Sequence, residues 1–267
     1  MKLYVKATSS YRSDLEDIVI KKELKLKYKV DTRRKDDFIY AGLLGALRLR
    51  DTIEIHEDDA LYLTSGVGNF NIISTVYEDM ITKKELMRLF DFINILGNTT
   101  SFYVAKTLGI KAKSLFQISD NFTYFHSLIN IYASLKGSSN EAILGAIDIK
   151  SEDENIIKRL LDVEKDVSCV SSVSYQKLSL ERTDALVEIE FDTMFYTLEE
   201  VQKIIQKESM KVICSLRCSD LKCDAPIEFF ENLGANVVAD VVEMQEDTLF
   251  IESYDNKYKI LKIRALK

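Results

Sequence analysis

Proline, glycine, histidine and cysteine are all scarce in this sequence of 267 residues. It contains one proline and nine glycines, while 46% of its residues are hydrophobic and 30% are charged. This composition excludes a disordered or fibrous chain and indicates a globular protein. A chain of this length buries roughly three quarters of its unfolded surface, which suits one large domain or two small ones.

Long apolar runs are absent from the sequence as well. None reaches the roughly 20 residues that a membrane-spanning helix needs, and residues 1–10 lack the apolar core of a signal peptide, so we expect a cytoplasmic protein. Four cysteines are too few for a disulfide scaffold in a chain this long. Cys214, Cys218 and Cys223 lie close together, but their spacing is not that of paired CxxC zinc ligands. We therefore expect buried thiols on a strand and loop, and neither a metal nor a cofactor.

The charge balance is acidic. Asp and Glu number 43 against 36 Lys and Arg, which gives a net charge of −7. Nucleic-acid binding requires a basic surface that neutralises phosphates, so this balance excludes a dedicated DNA- or RNA-binding protein. Basic residues nevertheless cluster between positions 21 and 35.

Strand-like and helix-like patterns alternate along the first half of the chain, which predicts an α/β architecture. Asp36 is placed to cap the helix that follows it, and Gly109 to end another. Small residues on the first long helix allow it to pack closely against a sheet. The predicted strands are residues 1–8, 60–65, 115–119 (a buried strand) and 142–149, and the predicted helices are residues 37–50, 72–81, 83–96, 99–108 and 122–135.

After residue 150 the pattern is weaker, although single elements remain visible. Thr197 and Glu200 form the capping box of a helix that begins at Leu198. Asp255 and Asn256 are typical of the turn of a closing hairpin. Helices are predicted at residues 151–165, 198–207 and around 233–239, and strands at residues 185–191, 211–216, 248–253 and 257–263.

Four stretches of the first half follow one another in a characteristic order. Residues 37–47 combine an aromatic with small and apolar positions, and residues 61–69 form a strand that ends in a glycine turn. Residues 98–109 form a helix that opens on Asn and closes on Leu-Gly, and residues 109–114 lead into the next strand. Together these stretches resemble the β-ketoacyl synthases of the thiolase superfamily.

The resemblance implies a compact, thiolase-like layered α/β/α/β/α fold with two similar halves. Residues 1–150 would form the ketosynthase-like N-terminal half. Residues 151–267 would form a reduced C-terminal half, in which the loops that build a substrate tunnel are shortened.

The family's nucleophile is a Cys at the tip between a strand and a helix, where the helix dipole lowers the thiol pKa. Its Thr-Ala-Cys-x-Ser-Gly motif falls on residues 119–124, so Asn121 occupies the nucleophile position. A carboxamide cannot accept an acyl group by transthiolation. Asp120 beside it adds a negative charge, which disfavours a thiolate.

The family's catalytic His pair, or His and Asn, comes from the second half. This chain has only His56 and His126, both in the first half. We interpret His56 as a surface loop residue and His126 as a packed or partly exposed helical residue. Glu231 or Asn232 occupies the position of one family His, and the nearest match to the other position is residues 217–220. The resemblance thus implies that no catalytic residue is retained.

The same resemblance covers partner subunits without a nucleophile, the chain-length factors. It implies a non-catalytic, chain-length-factor-like subunit of fatty-acid or polyketide-type (aryl-polyene-like) biosynthesis, dimeric with itself or with an active ketosynthase. An unpaired central edge strand is an aggregation hazard, which also favours a partner. The predicted dimer strand consists of Leu115, Phe116, Gln117, Ile118 and Ser119.

The basic stretch offers a docking surface for an acidic acyl carrier protein. The alternative is a solvated charged strand or loop. The residues predicted for docking are Lys21, Lys22, Arg33, Arg34 and Lys35.

Two other functions stay open. An acyl-carrier- or acyl-CoA-dependent enzyme would use non-Cys chemistry near Asn121, with Ser119, Asp120 or His126 as the acting residue. A scaffold unrelated to acyl chemistry is the third class, because a fold does not determine a function.

Overall fold

The computed structural model describes residues 1–119, 121–137, 140–151, 154–160, 168–215, 217–218, 220–221, 223 and 232–266. The strands within this part of the chain are β1 (Lys2–Arg12), β2 (Ala60–Ser65), β3 (Ser114–Ile118), β4 (Ala142–Asp148), β5 (Ser172–Ser179), β6 (Val187–Glu190), β7 (Lys211–Cys214), β8 (Thr248–Tyr254) and β9 (Lys257–Ala265). The α-helices are α1 (Ile20–Leu26), α2 (Asp37–Arg50), α3 (Phe70–Tyr77), α4 (Leu89–Ile95), α5 (Gly97–Leu108), α6 (Thr123–Leu135), α7 (Glu154–Leu160), α8 (Leu198–Lys207) and α9 (Leu233–Met244).

The described strands form one mixed sheet in the order β3-β2-β4-β5-β1-β6-β9-β8-β7. Strands β3, β2 and β4 are parallel to one another, and so are β7 and β8, whereas the other neighbours are antiparallel. From each end of the sheet, parallel strands come first and antiparallel strands follow, and β1 pairs with β6 near the centre. Strands β3, β2, β4, β5 and β1 form one side of the described sheet, and β6, β9, β8 and β7 form the other.

Three clusters of core residues define the layers. Helices α2 and α5 cover one face of the first-half strands, and α8 covers one face of the second-half strands. Helices α6 and α9 lie between the other faces of both halves, in a single core with residues from β2, β4, β8 and β9. The result is the expected five-layer α/β/α/β/α arrangement.

Alternation along the strands explains how both faces of each half are filled. On β2, Leu61 and Leu63 face the layer formed by α2 and α5, whereas Tyr62 faces α6. On β8, Phe250 faces the central helices while Leu249 faces α8. Successive side chains of a strand point to opposite faces, so a strand buried on both sides reads as a continuous apolar run.

Helix α2 packs closely on the sheet because it carries small residues. A Cβ atom added at Gly45 would lie 2.5 Å from side-chain atoms of Val173 and Tyr175 on β5. Asp36 caps this helix by accepting a hydrogen bond from the N–H of Ile39 (3.1 Å). Both the predicted bounds and the predicted cap of this helix are confirmed.

Several other local predictions are confirmed. Gly109 ends α5 in the left-handed conformation with φ of 77°. Thr197 and Glu200 form the capping box of α8. Asp255 and Asn256, with φ of 51° and 57°, form the turn of the β8–β9 hairpin.

Some predictions are wrong. The predicted helix over residues 83–96 is shorter, because Lys84 takes a left-handed conformation after a π-helical turn (Glu78–Lys83), and α4 begins only at Leu89. Strand β3 is predicted to be buried, yet Leu115 and Ile118 are 37% and 54% exposed because β3 lies at the sheet edge.

The patterns also miss two elements. Strand β5 is not predicted, and neither is the short helix α1 within the basic stretch. Strand β5 lies between β4 and β1, so residues on both sides of position 150 contribute to the first five strands. The predicted division into residues 1–150 and 151–267 stays a prediction. The end of the predicted helix (residues 161–165) and the end of the predicted strand (Leu216) lie outside the described residues.

No helix in the described part of the chain is long and apolar enough to cross a membrane.

Candidate functional site at the junction of the two halves

The carboxyl ends of the parallel strands of both halves meet at one place in the molecule. Strands β2, β3 and β4 end there on one side, and β7 and β8 on the other, with α6 and α9 starting from the same region. In open α/β sheets this is where ligands bind. We therefore take this junction as the candidate site.

The turn between β3 and α6 brings Asn121 to this junction. Strand β3 ends at Ile118 and α6 begins at Thr123, so Asn121 lies at the strand-to-helix turn. The hydroxyl of Ser119 donates to the backbone carbonyl of Asn121 (2.8 Å), and the hydroxyl of Thr123 donates to the carbonyl of Ser119. These two hydrogen bonds link Ser119, at the end of the strand, to the residues that lead into α6.

The left-handed residue of this turn is Phe122 rather than Asn121. Its φ and ψ are 46° and 31°, a conformation that is uncommon for a bulky side chain. The Phe122 ring is buried and meets Phe125, His126 and Phe195 edge-on, with ring centroids 6.4, 6.3 and 5.4 Å away. An aromatic cluster therefore fills the space beside the turn.

Glu252 on β8, in the other half, contacts the backbone at the start of α6. Its Oε1 accepts a hydrogen bond from the backbone N–H of Phe122 (2.8 Å), and its side chain is buried. Burial raises the pKa of Glu252 to about 7, against the opposing effects of the Arg217 charge and the Phe122 hydrogen bond. A carboxyl group of this chain thus occupies the positive end of the α6 dipole.

Asp148 on β4 makes the reciprocal contact. Its Oδ2 accepts hydrogen bonds from the backbone N–H (2.8 Å) and the Nδ2 (2.9 Å) of Asn232, the residue that precedes α9. Its Oδ1 accepts from the N–H of Gly66 (3.0 Å) and from the hydroxyl of Ser65 (3.3 Å). Each central helix therefore begins against a buried carboxyl group of the opposite half.

Two basic side chains complete the surroundings of Phe122. Lys259 on β9 is 2% exposed; its Nζ donates to the carbonyl of Met194 (3.3 Å) and lies 4.4 Å from the centroid of the Phe195 ring. Burial lowers the pKa of Lys259. Burial also lowers the pKa of the half-buried His126, and the Lys259 charge adds to that effect.

The predicted dimer strand forms an edge of the described sheet. Its residues 114–118 hydrogen-bond to β2, and Ile118 and Leu115 expose apolar surface. Further apolar side chains are exposed along residues 77–102, which precede β3 in the chain. These residues are Tyr77, Met80, Ile81, Leu86, Leu89, Phe90, Phe92, Leu96 and Phe102.

Part of the predicted docking cluster lines a groove between the 28–35 segment and α5. Its volume is about 600 Å³. Lys21 and Lys22 lie apart from it on α1, and the Nζ of Lys21 is 5.6 Å from the centroid of the Tyr40 ring. The charged and aromatic residues of this basic groove are Tyr28, Lys29, Asp31, Arg33, Arg34, Lys35, Tyr103 and Lys106.

Among the residues that the structure describes, no group of three or more His, Cys, Asp or Glu side chains is arranged to hold a metal ion.

Comparison with known proteins gives a clear result for the fold. No protein-family model matches the chain, and no curated protein does. A solved structure described as the ishigamide ketosynthase/chain length factor is similar over 100% of both chains, with a TM-score of 0.74 at 9% identity. The complex of the ketosynthase ApeO with its chain length factor ApeC from Xenorhabdus doucetiae matches with a TM-score of 0.63 at 9% identity, over 98% of this chain and 99% of that chain.

A third neighbour is AntDE:AntF, a type II PKS acyl-carrier protein in complex with its ketosynthase. It matches over 99% of both chains with a TM-score of 0.69 at 13% identity. The chain has a ketosynthase fold. This confirms the thiolase-like architecture that the four sequence stretches predict.

The ketosynthase fold gives the predicted site residues a common setting. Asn121 and Asn232 both lie at the junction, one before α6 and the other before α9. Asp120 and Glu231 lie outside the described residues. Sequence reasoning missed Phe122, Glu252 and Asp148. The contacts of Glu252 and Asp148 join residues 130 and 84 positions apart, which no local pattern signals.

Proposed function

We propose that this chain is a non-catalytic ketosynthase-like subunit. It pairs with an active ketosynthase, in the manner of a chain length factor, in fatty-acid or polyketide-type biosynthesis. An acyl carrier protein docks on the assembled pair.

The contact of Glu252 with the start of α6 carries the non-catalytic part of the proposal. A ketosynthase nucleophile needs the positive end of a helix dipole to lower its thiol pKa. In this chain the carboxyl group of Glu252 lies at the N-terminal end of α6, and the adjacent side chains are the amide of Asn121 and the ring of Phe122. Neither side chain attacks a thioester.

The edge strand β3 supports pairing with a second subunit. Its apolar side chains Leu115 and Ile118 are exposed, and more apolar surface lies along residues 77–102. Exposed apolar side chains on an edge strand are typical of an interaction site. The neighbour ApeC is described as a chain length factor in complex with its ketosynthase, which fits a heterodimer.

Acylation separates this proposal from the enzyme alternative. The purified chain is incubated with malonyl- and acyl-carrier substrates and its intact mass is recorded, with an active ketosynthase as the positive control. We expect no acyl adduct and no turnover. An adduct that peptide mapping places at Ser119 or elsewhere in residues 119–126, or turnover that the Ser119→Ala or His126→Ala variant abolishes, would establish the enzyme alternative.

Co-purification tests the pairing. The tagged chain is isolated from its native host at low salt, and bound proteins are identified by mass spectrometry. We expect an intact ketosynthase at a one-to-one ratio. A stable monomer, or a homodimer without any ketosynthase, would contradict the heterodimer.

A further inference from the structure

Three of the four cysteines lie together where β7 ends. Cys214 is the last residue of β7, and Cys218 and Cys223 follow in the next loop. The Cys214 thiol is hydrogen-bonded to the thiols of both Cys218 and Cys223, so it is the centre of the cluster. The fourth cysteine, Cys169, lies elsewhere, within range of the charges of α7.

The cluster extends from the interior to the surface. Cys214 and Cys218 are 2% and 4% exposed, whereas Cys223 is partly exposed. The Sγ of Cys218 is 3.5 Å from the carbonyl oxygen of Ile251 and 3.6 Å from the hydroxyl of Ser215. An oxidant in solution therefore meets Cys223 first, and the two inner thiols are held in place behind it.

The inner thiols differ in acidity. The hydrogen bond from Cys214 lowers the pKa of Cys218 to about 7, and the hydrogen bond with Ser215 adds to this effect. The pKa of Cys214 is raised, first by its hydrogen bond to Cys218 and then by burial. Cys218 thus carries appreciable thiolate near neutral pH, and a thiolate is the form that attacks disulfides.

We propose that Cys214, Cys218 and Cys223 form a redox modification site, in which a peroxide converts Cys214 and one of its two neighbours into a disulfide. The three thiols do not form a metal-binding arrangement among the described residues. Their mutual contacts instead supply the attacking and resolving sulfurs that disulfide formation needs.

The chemistry balances with hydrogen peroxide as the two-electron oxidant. The Cys223 sulfur attacks the peroxide, the O–O bond breaks, and sulfenic acid and water form. The Cys214 sulfur then attacks the Cys223 sulfur, the S–O bond breaks, and a second water leaves with the Cys214 proton. The Cys218 thiolate can next attack Cys214, which moves the disulfide to Cys214–Cys218 and releases Cys223.

The disulfide acts on the loop beside the candidate site. The hydroxyl of Ser253 donates to the carbonyl of Arg217 (2.6 Å), and the Arg217 charge acts on Glu252. Because Arg217 lies between Cys214 and Cys218 in the chain, a bond from Cys214 to this loop fixes the segment that carries Arg217.

Thiol counting and peptide mapping test the proposal. The reduced chain is treated with hydrogen peroxide, quenched, denatured and titrated for free thiols. We expect the count to fall from four to two, to recover with a thiol reductant, and to map to a disulfide that contains Cys214. Bound zinc is measured in the untreated protein, and we expect none.

Matched variants separate the cluster from nonspecific oxidation. Cys169→Ser retains the full response, and Cys218→Ser retains the Cys214–Cys223 disulfide. Cys223→Ser removes the sulfur that meets the peroxide first, so its Cys214–Cys218 disulfide forms more slowly. Cys214→Ser and the double variant Cys218→Ser/Cys223→Ser both abolish it, so the test does not depend on one variant folding. Oxidation that stops at sulfenic or sulfinic acid, a disulfide that persists in Cys214→Ser, or zinc held by the three thiols would overturn the proposal.

Discussion

Glu252 and Asp148 show how single buried carboxyl groups join the two halves. Each accepts the backbone N–H at the start of a central helix that belongs to the opposite half. They are not equivalent in their hydrogen bonding: among the described residues, Asp148 accepts four hydrogen bonds from Ser65, Gly66 and Asn232, whereas Glu252 accepts one from Phe122. Fewer hydrogen bonds therefore offset the loss of hydration on burial for the carboxylate of Glu252 than for that of Asp148.

The charge of Glu252 makes stability depend on pH. Its folded pKa of about 7 lies above the reference value of 4.5, so the folded state holds a proton that the unfolded state releases. Stability therefore falls as pH rises from about 4.5 to 7, by roughly 3 kcal/mol for a shift of this size. Glu252→Gln keeps an acceptor for the Phe122 N–H without the charge.

We expect the Glu252→Gln variant to gain stability relative to wild type over this pH range and to keep that gain above pH 7. Denaturant unfolding of both proteins at a series of pH values measures the difference. Glu252→Ala is the control for the hydrogen bond, because it leaves the buried N–H unpaired. A difference between wild type and Glu252→Gln that does not change with pH would be inconsistent with this role.

Lys177 on β5 presents the opposite case, a buried cation that is well compensated. Its side chain is 2% exposed, and its Nζ lies 3.2 Å from Asp59 and 2.9 Å from Glu141, and donates to the carbonyl of Glu54 (2.8 Å). Lys177→Met leaves the buried carboxylate of Asp59 without its cation, so we expect a loss of about 3–5 kcal/mol.

Chemical denaturation of Lys177→Met tests this expectation. Lys2→Met is the matched control: it removes a Lys–Glu188 pair in which the Lys side chain is 49% exposed, and surface pairs contribute at most about 1 kcal/mol. Equal losses in the two variants would show that the buried pair contributes nothing beyond a surface pair.

At the level of elements, local sequence signals were sufficient to predict the helix ends and turns that neighbouring residues determine. The Asp36 cap, the Gly109 end of α5 and the β8–β9 turn are set by neighbouring residues, and all were predictable. Strand β5 was not predicted, although Ser172 and Ser174 alternate with Val173 and Tyr175 as in a strand with one apolar face. Its polar face is also buried, through tertiary hydrogen bonds such as that from Ser174 to the carbonyl of Ala235 (3.0 Å).

Strand β3 shows what the sequence pattern left undecided. Its apolar residues predict burial, but within one chain the edge strand exposes Leu115 and Ile118. The proposed pairing accounts for both observations, because a second subunit would cover the apolar side chains that β3 exposes within one chain.

A charge on this edge tests the pairing. Ile118→Lys places an ammonium group on the exposed apolar strand, and we expect dimer affinity to weaken at least tenfold, about 1.4 kcal/mol. Sedimentation velocity over a concentration series measures this effect, with unfolding temperature as the check on the fold. Met244→Lys alters a side chain of similar exposure, 62%, at the end of α9 and should leave association unchanged.

An equal loss of affinity in both variants would indicate a general charge effect and would count against β3 as the interface.

At the scale of the whole molecule, the site depends on residues that are far apart in sequence. The four stretches of the first half were enough to predict the ketosynthase fold and the location of Asn121 in the turn between β3 and α6. Glu252, Lys259 and Phe195 reach the same junction only through the sheet order, in which β8 and β9 follow β6. Periodicity carries no information about such contacts, so the filled aromatic cluster was not predictable.

The charge distribution of the whole molecule supports a defined docking surface. The chain carries a net charge of −7, yet Lys29, Arg33, Arg34, Lys35 and Lys106 line one groove. Burial lowers the pKa of Lys35; the Asp31 charge opposes this effect, and the charges of Lys106 and Arg33 add to it. This excess of basic side chains over the single Asp31 would steer the proposed acidic carrier protein toward the groove.

Charge reversal in the groove is expected to weaken carrier binding. Arg33→Glu/Arg34→Glu should lower affinity for an acyl carrier protein roughly tenfold at low salt, and the loss should shrink near 1 M salt, where the Debye length is about 3 Å. Lys21→Glu/Lys22→Glu makes the same change in net charge on α1, outside the groove, and should have a much smaller effect. Calorimetric titration at two salt concentrations distinguishes the variants. If both pairs weaken binding equally, the carrier responds to net charge alone and the groove is not its docking site.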